Sequence, residues 1–329
     1  AFTLLIVDVV RTSEQLRRMV AMVVLGGVGA ALIGIVLWVL PDLLANSLLV
    51  RLSIIGYPSG DVIQYIEQNP ELSERAIGTS VNPNALGGML VMVAALTVPQ
   101  IVSDRPVWGH RWLSIIALGT LVACLILTFS RGSMLAFGVA LVFIAALRYR
   151  RVLAILIVLG AVILLLPWMQ PYLERMLAGL TGADLATQMR FGEYRDALTL
   201  ILRYPVLGAG FTGSPDIDVY LGVANVYLTI TQNMGLVGII AFFALLSGIF
   251  AYAWRARKAI DTIPGHYAIW LGLQAGLLSA LVNGVFDHYF FNLEFHFAVT
   301  IFWLYVGLML ATSRIALTPP PPAAGPSTR

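Results

Sequence analysis

The sequence predicts an all-α polytopic membrane protein: about eight full spans plus a partial N-terminal one, with two long extracytoplasmic segments that carry interfacial helices. Three observations predict it. The 329-residue chain is 59% hydrophobic and only 11% charged, and a soluble domain carries about twice that charge fraction. Mean hydropathy is +0.87. Several apolar runs approach or exceed the about 20 residues that cross a bilayer, and short loops between them hold most of the basic residues. The formal charge of +3 is therefore a loop signal and does not point to nucleic acid.

Residues 1–10, AFTLLIVDVV, have no basic n-region and read as the tail of a helix whose beginning precedes this sequence. Full spans follow at 19–40, 85–102, 112–128, 133–147, 152–168, 234–254, 267–286 and 297–311. The groups Arg11, Arg17 and Arg18; Arg105 and Arg111; Arg148, Arg150 and Arg151; Arg255, Arg257 and Lys258; and Arg314 all fall on one face if each span crosses once. Positive charge in short loops marks the cytoplasmic side. The opposite face receives two long segments, 41–84 and 169–233, and two tight connections, 130–132 and 287–294. Residues 1–313 thus form one integral membrane domain. Residues 314–329, rich in proline, read as a disordered cytoplasmic tail. Cys124 lies in an apolar run and reads as packing. The sequence holds no Cys/His cluster at metal spacing, and no cofactor is expected.

Within the first long segment, 63–73 reads as a short surface helix, and the NPN turn at 82–84 offers Asn84 as N-cap of the next span. The hairpin TFSRGS at 128–133 offers Ser130 or Ser133 as a cap. Its Arg131 stands beside a helix N-terminus, a natural anion site, although a snorkelling arginine at the headgroups fits equally well. In the second long segment Phe191, Tyr194, Leu198, Ile201 and Leu202 recur at helical spacing, with Arg195, Asp196, Thr199 and Arg203 largely on another face. That pattern suits a helix lying in the membrane interface. Pro205 ends it. The turn GAGFTG follows at 208–213, then Asp216 and Asp218, then Ala224-Asn225, nine residues, and GLVG at 235–238.

Together these pieces resemble the O-antigen ligase and O-antigen polymerase superfamily of bacterial membrane glycosyltransferases. The matching residues are GTSVNPN at 78–84, TFSRGS at 128–133, Arg190 through Gly210, and the 224–238 motif. The resemblance implies metal-independent transfer of a glycan from a polyprenyl diphosphate carrier, typically undecaprenyl diphosphate, to a sugar hydroxyl. It places the protein in the bacterial cytoplasmic membrane with its site on the extracytoplasmic face. The acceptor would be a lipopolysaccharide core lipid for a ligase, or another carrier-linked glycan for a polymerase. Partners are then the lipid-linked donor, a glycan or lipid acceptor, membrane lipid, and a possible protein partner. A diphosphate leaving group calls for fixed guanidinium groups. Arg131 and Arg190 lead as diphosphate ligands, with Arg75 and Arg195 behind them.

The chain departs from the family at one position. The family motif begins with a histidine, its proposed base or orienting group; here that position is Ala224, while Asn225, Gly235 and Gly238 are kept. A methyl group accepts no proton. Three readings stay open: an engineered alanine variant, another base, or a member that has lost catalysis and serves as a non-catalytic transmembrane subunit binding lipid-linked glycan or a protein. Possible substitutes are His288, Glu193, Asp216 and Asp218. Glu193, three residues from Arg190, reads first as a helix-face pair. Asp287-His288 and Glu294-x-His296 lie among aromatics, where an interfacial belt is the plainer reading. His110 and His266 read as ordinary loop histidines. A transporter is disfavoured because the spans place few charges at mid-membrane.

Overall fold

The computed structural model describes residues 2–58, 60, 62–149, 185–211, 223–292 and 295–318. In chain order it forms α1 (Phe2–Val9), α2 (Ser13–Val39), α3 (Asp42–Val50), a two-stranded ladder of β1 (Gln64–Tyr65) and β2 (Glu74–Arg75), α4 (Pro83–Val102), α5 (Arg111–Leu127), α6 (Arg131–Arg148), α7 (Leu185–Arg203), α8 (Val226–Asp261), α9 (His266–Asn283) and α10 (His296–Leu317). Five of these, α2, α4, α6, α8 and α10, are long and apolar enough to cross a membrane; α5 is apolar but shorter, at 17 residues. The predicted spans at 152–168 and the tail beyond 318 lie outside the described residues.

Two helices form the centre. α4 and α9 are buried on nearly every side, as expected of helices that are apolar all round. They pack on each other, and α4 also packs on α5 and α6. A Cβ at Gly272 would come within 2.8 Å of the Leu96 backbone, so a small residue lets the two backbones touch. The surrounding helices turn Met22, Leu25, Ile115, Ile116, Leu135, Ile240 and Phe243 outward. Such an exposed apolar girdle is stable only against lipid.

The bundle has two distinct ends. At one, Arg17 donates to the Pro106 carbonyl at 3.2 Å, Arg314 to the Val10 carbonyl at 3.0 Å, and Arg148 lies 3.7 Å from Asp261. Arg17, Arg148 and Arg314, from three of the basic loop groups that the charge pattern assigned to one face, therefore do share one end; Arg150 and Arg151 lie outside the described residues. The other end gathers the N-termini of α4, α6, α8 and α10 with the C-termini of α5 and α9.

Several local expectations are corrected. Segment 63–73 is not one surface helix: Gln64 pairs with Arg75 and Tyr65 with Glu74 in an antiparallel ladder, and only Ile66–Gln68 forms a single 3-10 turn. β-Branched and aromatic residues at 62–66 favour strand, and Gln68 at φ 57° followed by Asn69-Pro70 stops a helix from forming. Asn82, not Asn84, caps α4, its side chain accepting from the Asn84 and Ala85 amides, with Pro83 at the first helical position. Ser130 occupies the cap position of α6 but turns its hydroxyl to Ser133 at 2.9 Å and makes no capping bond. α2 begins at Ser13, earlier than the apolar run, because Thr12 and Gln15 form a capping box. His266 is buried at the start of α9, so only His110 is an exposed loop histidine. α3 carries Leu43, Leu44 and Leu48 largely exposed, as an interfacial helix would.

Candidate active site

The arginine-poor end of the bundle holds the site. Arg75 leaves the β2 strand and reaches inward. Its Nε donates to the Thr128 carbonyl at 2.9 Å and its Nη2 to Asn84 Oδ1 at 2.6 Å. The first bond ties the outer segment to the end of α5, reinforced by the Ala76 amide on the Leu127 carbonyl at 2.8 Å. The second explains why Asn84 does not cap: its amide serves a charge.

Burial first, helped by the nearby positive charges of Arg131 and Arg190 and opposed by Tyr289 and Asp287, lowers the Arg75 pKa to about 10. Three arginines from β2, α6 and α7 thus share one field. Among the described residues, the carboxyl that enters this field is Asp287, in the turn after α9. It is 5% exposed, and burial raises its pKa to about 6 against hydrogen bonds from the His288 amide, Tyr289 and Asn84 and the charge of Arg190. Tyr289, 3% exposed, is pushed well above the usual phenol range, first by burial and then by Asp287. His288 lies at the rim, its Nδ1 3.4 Å from Asp287 Oδ1.

The 224–238 motif forms the adjoining wall. Asn225 caps α8 by accepting from the Leu228 amide, and its Nδ2 donates to the Val285 carbonyl at 2.9 Å, two residues from Asp287. The Val226 amide donates to the Gly284 carbonyl at 2.8 Å. Glu193 of α7 accepts from the Ala224 amide at 3.0 Å. So Glu193 does not simply pair along its own helix; it fixes the backbone of the position where the family carries its histidine. Tyr194 reaches the Val285 carbonyl at 3.4 Å from the same helix.

The glycines explain how α7 meets α8. α8 breaks at Gly235, whose φ of 65° and ψ of −166° lie outside the helix and are essentially restricted to glycine. The turn after α7 completes the broken ladder. The Ala209 and Gly210 amides donate to the Gln232 and Asn233 carbonyls at 2.8 and 3.0 Å, and the Leu236 and Val237 amides donate to the Pro205 and Val206 carbonyls at 2.8 and 3.3 Å. Backbone groups freed by a break inside a membrane must be satisfied within the protein. A Cβ at Gly235 would sit 2.1 Å from the Val206 carbonyl oxygen, and one at Gly208 2.4 Å from the Asn233 carbonyl carbon.

Of the residues singled out from sequence, Arg75, Arg131, Arg190, Glu193, Ala224, Asn225 and His288 converge at this end. Arg195 is exposed on α7 and takes no part in the field around Arg75. Asp216, Asp218 and Glu294 lie outside the described residues, and His296 is exposed at the start of α10. Sequence reasoning missed Asn84 as an arginine partner, Tyr194 and Tyr289 as wall residues, and the burial of Asp287. The NPN turn and the Asp-His pair among aromatics were the available signals. No group of three or more His, Cys, Asp or Glu side chains suited to a metal occurs among the described residues.

The helical membrane protein thus brings three arginines and the buried carboxyl of Asp287 together at one end of its bundle. Residues 116–243 match the family described as O-antigen ligase, so the likeness to the O-antigen ligase and polymerase superfamily is shown over that stretch. The match takes in Arg131, Arg190, Ala224 and the broken helix; Arg75 and Asp287 fall outside it. No curated protein matches the chain significantly.

Proposed function

We propose that the protein binds a glycan carried on a polyprenyl diphosphate and transfers it to a sugar hydroxyl, in the manner of an O-antigen ligase or polymerase, at the extracytoplasmic face of a bacterial cytoplasmic membrane. The observation that carries the reading is the mutual repulsion of Arg75, Arg131 and Arg190, brought into one field beside Asp287 in a partly buried space. A bound diphosphate offsets it, and guanidinium groups suit its oxygens. As the glycosidic bond to the carrier breaks, charge grows on the leaving diphosphate, where the three arginines stabilise it. The acceptor hydroxyl must lose a proton. Asp287 is the base this geometry favours in place of the imidazole missing at Ala224. Its pKa near 6 leaves it ionised but basic at neutral pH, and the Asn225 bond to Val285 holds position 224 beside its turn. His288 at its rim is the second choice. Glu193 acts as a positioning residue, engaged by the Ala224 amide.

A second reading is favoured by Ala224 itself: the chain keeps the binding site and transfers nothing. One experiment separates the two. Purified protein and its Ala224→His variant are given undecaprenyl-diphosphate-linked glycan and an acceptor glycan. Turnover by the parent that is lost in Asp287→Asn supports the first reading. Turnover only after Ala224→His supports a binding protein with a dormant site. Turnover by neither, with the donor still bound, leaves a carrier-binding subunit; no donor binding overturns both.

A further inference from the structure

At the end of the bundle opposite the arginine cluster, a groove of about 590 Å³ opens between α6, α8 and α9, lined by Phe143, Phe250, Trp254, Arg255, Gln274 and Leu278 among others. Its wall is apolar except at two points. Gln274 is 1% exposed, and its Nε2 donor finds no partner among the described residues. A buried amide donor left unpaired costs about 1–3 kcal/mol, so its position facing an apolar groove calls for an acceptor brought by something else. Arg255 is exposed at the mouth and has no ion pair or hydrogen bond among the described residues. Its neighbours are occupied. Arg257 lies over Trp254 and Tyr267 and donates to the Tyr267 hydroxyl, and Arg148 lies over Tyr267 and beside Asp261.

We infer that this groove is a binding site for an anionic glycerophospholipid, with the phosphate on Arg255, an ester carbonyl on Gln274 Nε2 and one acyl chain along Phe143, Phe250 and Leu278. The depths fit. Trp270 donates to the Ala253 carbonyl at 3.0 Å, which sets those two residues level. At 1.5 Å per residue, Gln274 then lies about 9 Å deeper than the Arg255 backbone. The headgroup zone of each leaflet is about 5–8 Å thick, and helical Cα–Cβ bonds tilt toward the helix N-terminus, the deeper direction for α8, so a phosphate met by the Arg255 side chain puts the ester carbonyls near the amide. An apolar tail alone would leave both polar groups unanswered, and a zwitterionic headgroup brings a cation of its own that competes with Arg255 for the phosphate.

The test uses the full chain purified in mixed micelles and compares retention of phosphatidylglycerol with phosphatidylcholine by native mass spectrometry. The parent is expected to retain phosphatidylglycerol selectively. A basic side chain near a membrane surface contributes about 1 kcal/mol toward an anionic lipid, so Arg255→Ala should reduce that preference about fivefold. Gln274→Leu should lower retention of both lipids, and Ala251→Trp, which fills the groove, should abolish it. Arg131→Ala, at the far end, should change none of this; if it removes the lipid, the bound anion belongs to the carrier site and the proposal fails. Equal retention of the two lipids by the parent overturns it. So does Ala251→Trp leaving retention intact while altering the oligomeric state, because the groove would then be an interface between copies.

Discussion

The two ends of the bundle use the same residue in opposite ways. At the short-loop end arginines are dispersed, and most have their own answer: a carbonyl for Arg17 and Arg314, a carboxylate for Arg148, two aromatic faces for Arg257. At the other end Arg131 and Arg190 are drawn close enough to help lower the pKa of Arg75, with the buried carboxyl of Asp287 beside them. Dispersed, partnered cations anchor a membrane protein and set its orientation. Clustered like charges cost folding energy and persist where an anion repays it. The contrast separates an anchoring end from the proposed binding end without reference to any ligand.

The sharpest way to break the comparison is through α8, which runs between the two ends. At the binding end it is broken at Gly235; nearer the other end Gly248 has open space around it. Gly235→Ala places a methyl against the Val206 carbonyl at a backbone angle alanine disfavours. Loss of the folded protein, or at least about 3 kcal/mol of stability, is expected from strain plus the four displaced hydrogen bonds. Gly248→Ala should be neutral or stabilise by up to about 1 kcal/mol. Thermal unfolding in detergent reads both, and equal effects would mean that the break is no special feature of the binding end.

Next come the arginines themselves. Arg190→Ala or Arg131→Ala should cut donor binding or transfer by about 100-fold, the cost of removing one partner from a largely desolvated charge contact. Arg17→Ala and Arg257→Ala should change transfer less than about twofold. If the two sets respond alike, clustering carries no functional meaning.

Asp287 gives a smaller effect with a defined sign. Its folded pKa, about 6, stands above the ordinary 3.8, so the native state holds a proton that the unfolded chain releases. Stability from this group is therefore greatest below about pH 4 and declines as pH rises to about 6. The gap corresponds to at most about 3 kcal/mol. Asp287→Asn should remove that decline. If Asp287 takes the acceptor proton, transfer should rise with pH through about 6 in the parent, whereas Asp287→Asn should lack that limb. A flat parent profile would assign the proton elsewhere, with His288 first.

How much of this was legible in the sequence follows from how local each feature is. Long apolar runs and the loop arginines are properties of single segments, so five membrane-length helices and the end shared by Arg17, Arg148 and Arg314 could be read directly. The amphipathic pattern at 191–202 likewise gave α7, whose Phe191, Leu198 and Leu202 stay exposed. Arg131 and Arg190 were visible through motifs. Asp287 was not, because its burial depends on β2, α4 and α7 meeting the turn after α9, and no local pattern encodes that. The ladder at 64–75 was mistaken for a helix because two-residue strands give almost no periodicity. Asn84 was mistaken for a cap because its partner Arg75 is recognisable only once β2 turns inward. The glycine spacing at 235–238 was seen, but its cause, a broken helix mended by the turn at 205–210, is a contact between distant segments.

The smallest effect tests the anchoring end. Arg148 and Asp261 lie 3.7 Å apart with side chains 50% and 46% exposed. Water and salt screen such a pair, and exposed pairs contribute about 0–1 kcal/mol. Arg148 also loses its place over the Tyr267 ring, 4.9 Å away, which adds about 0.5–1 kcal/mol at an exposed site. Arg148→Ala should therefore lower stability by about 1–2 kcal/mol at most and leave transfer unchanged. Asp261→Asn, which spares the ring contact, should cost less, and its effect should vanish in about 0.5 M salt. A loss of transfer in either variant would show that the two ends are coupled through α6 or α8, and the division between anchoring and binding arginines would have to be abandoned.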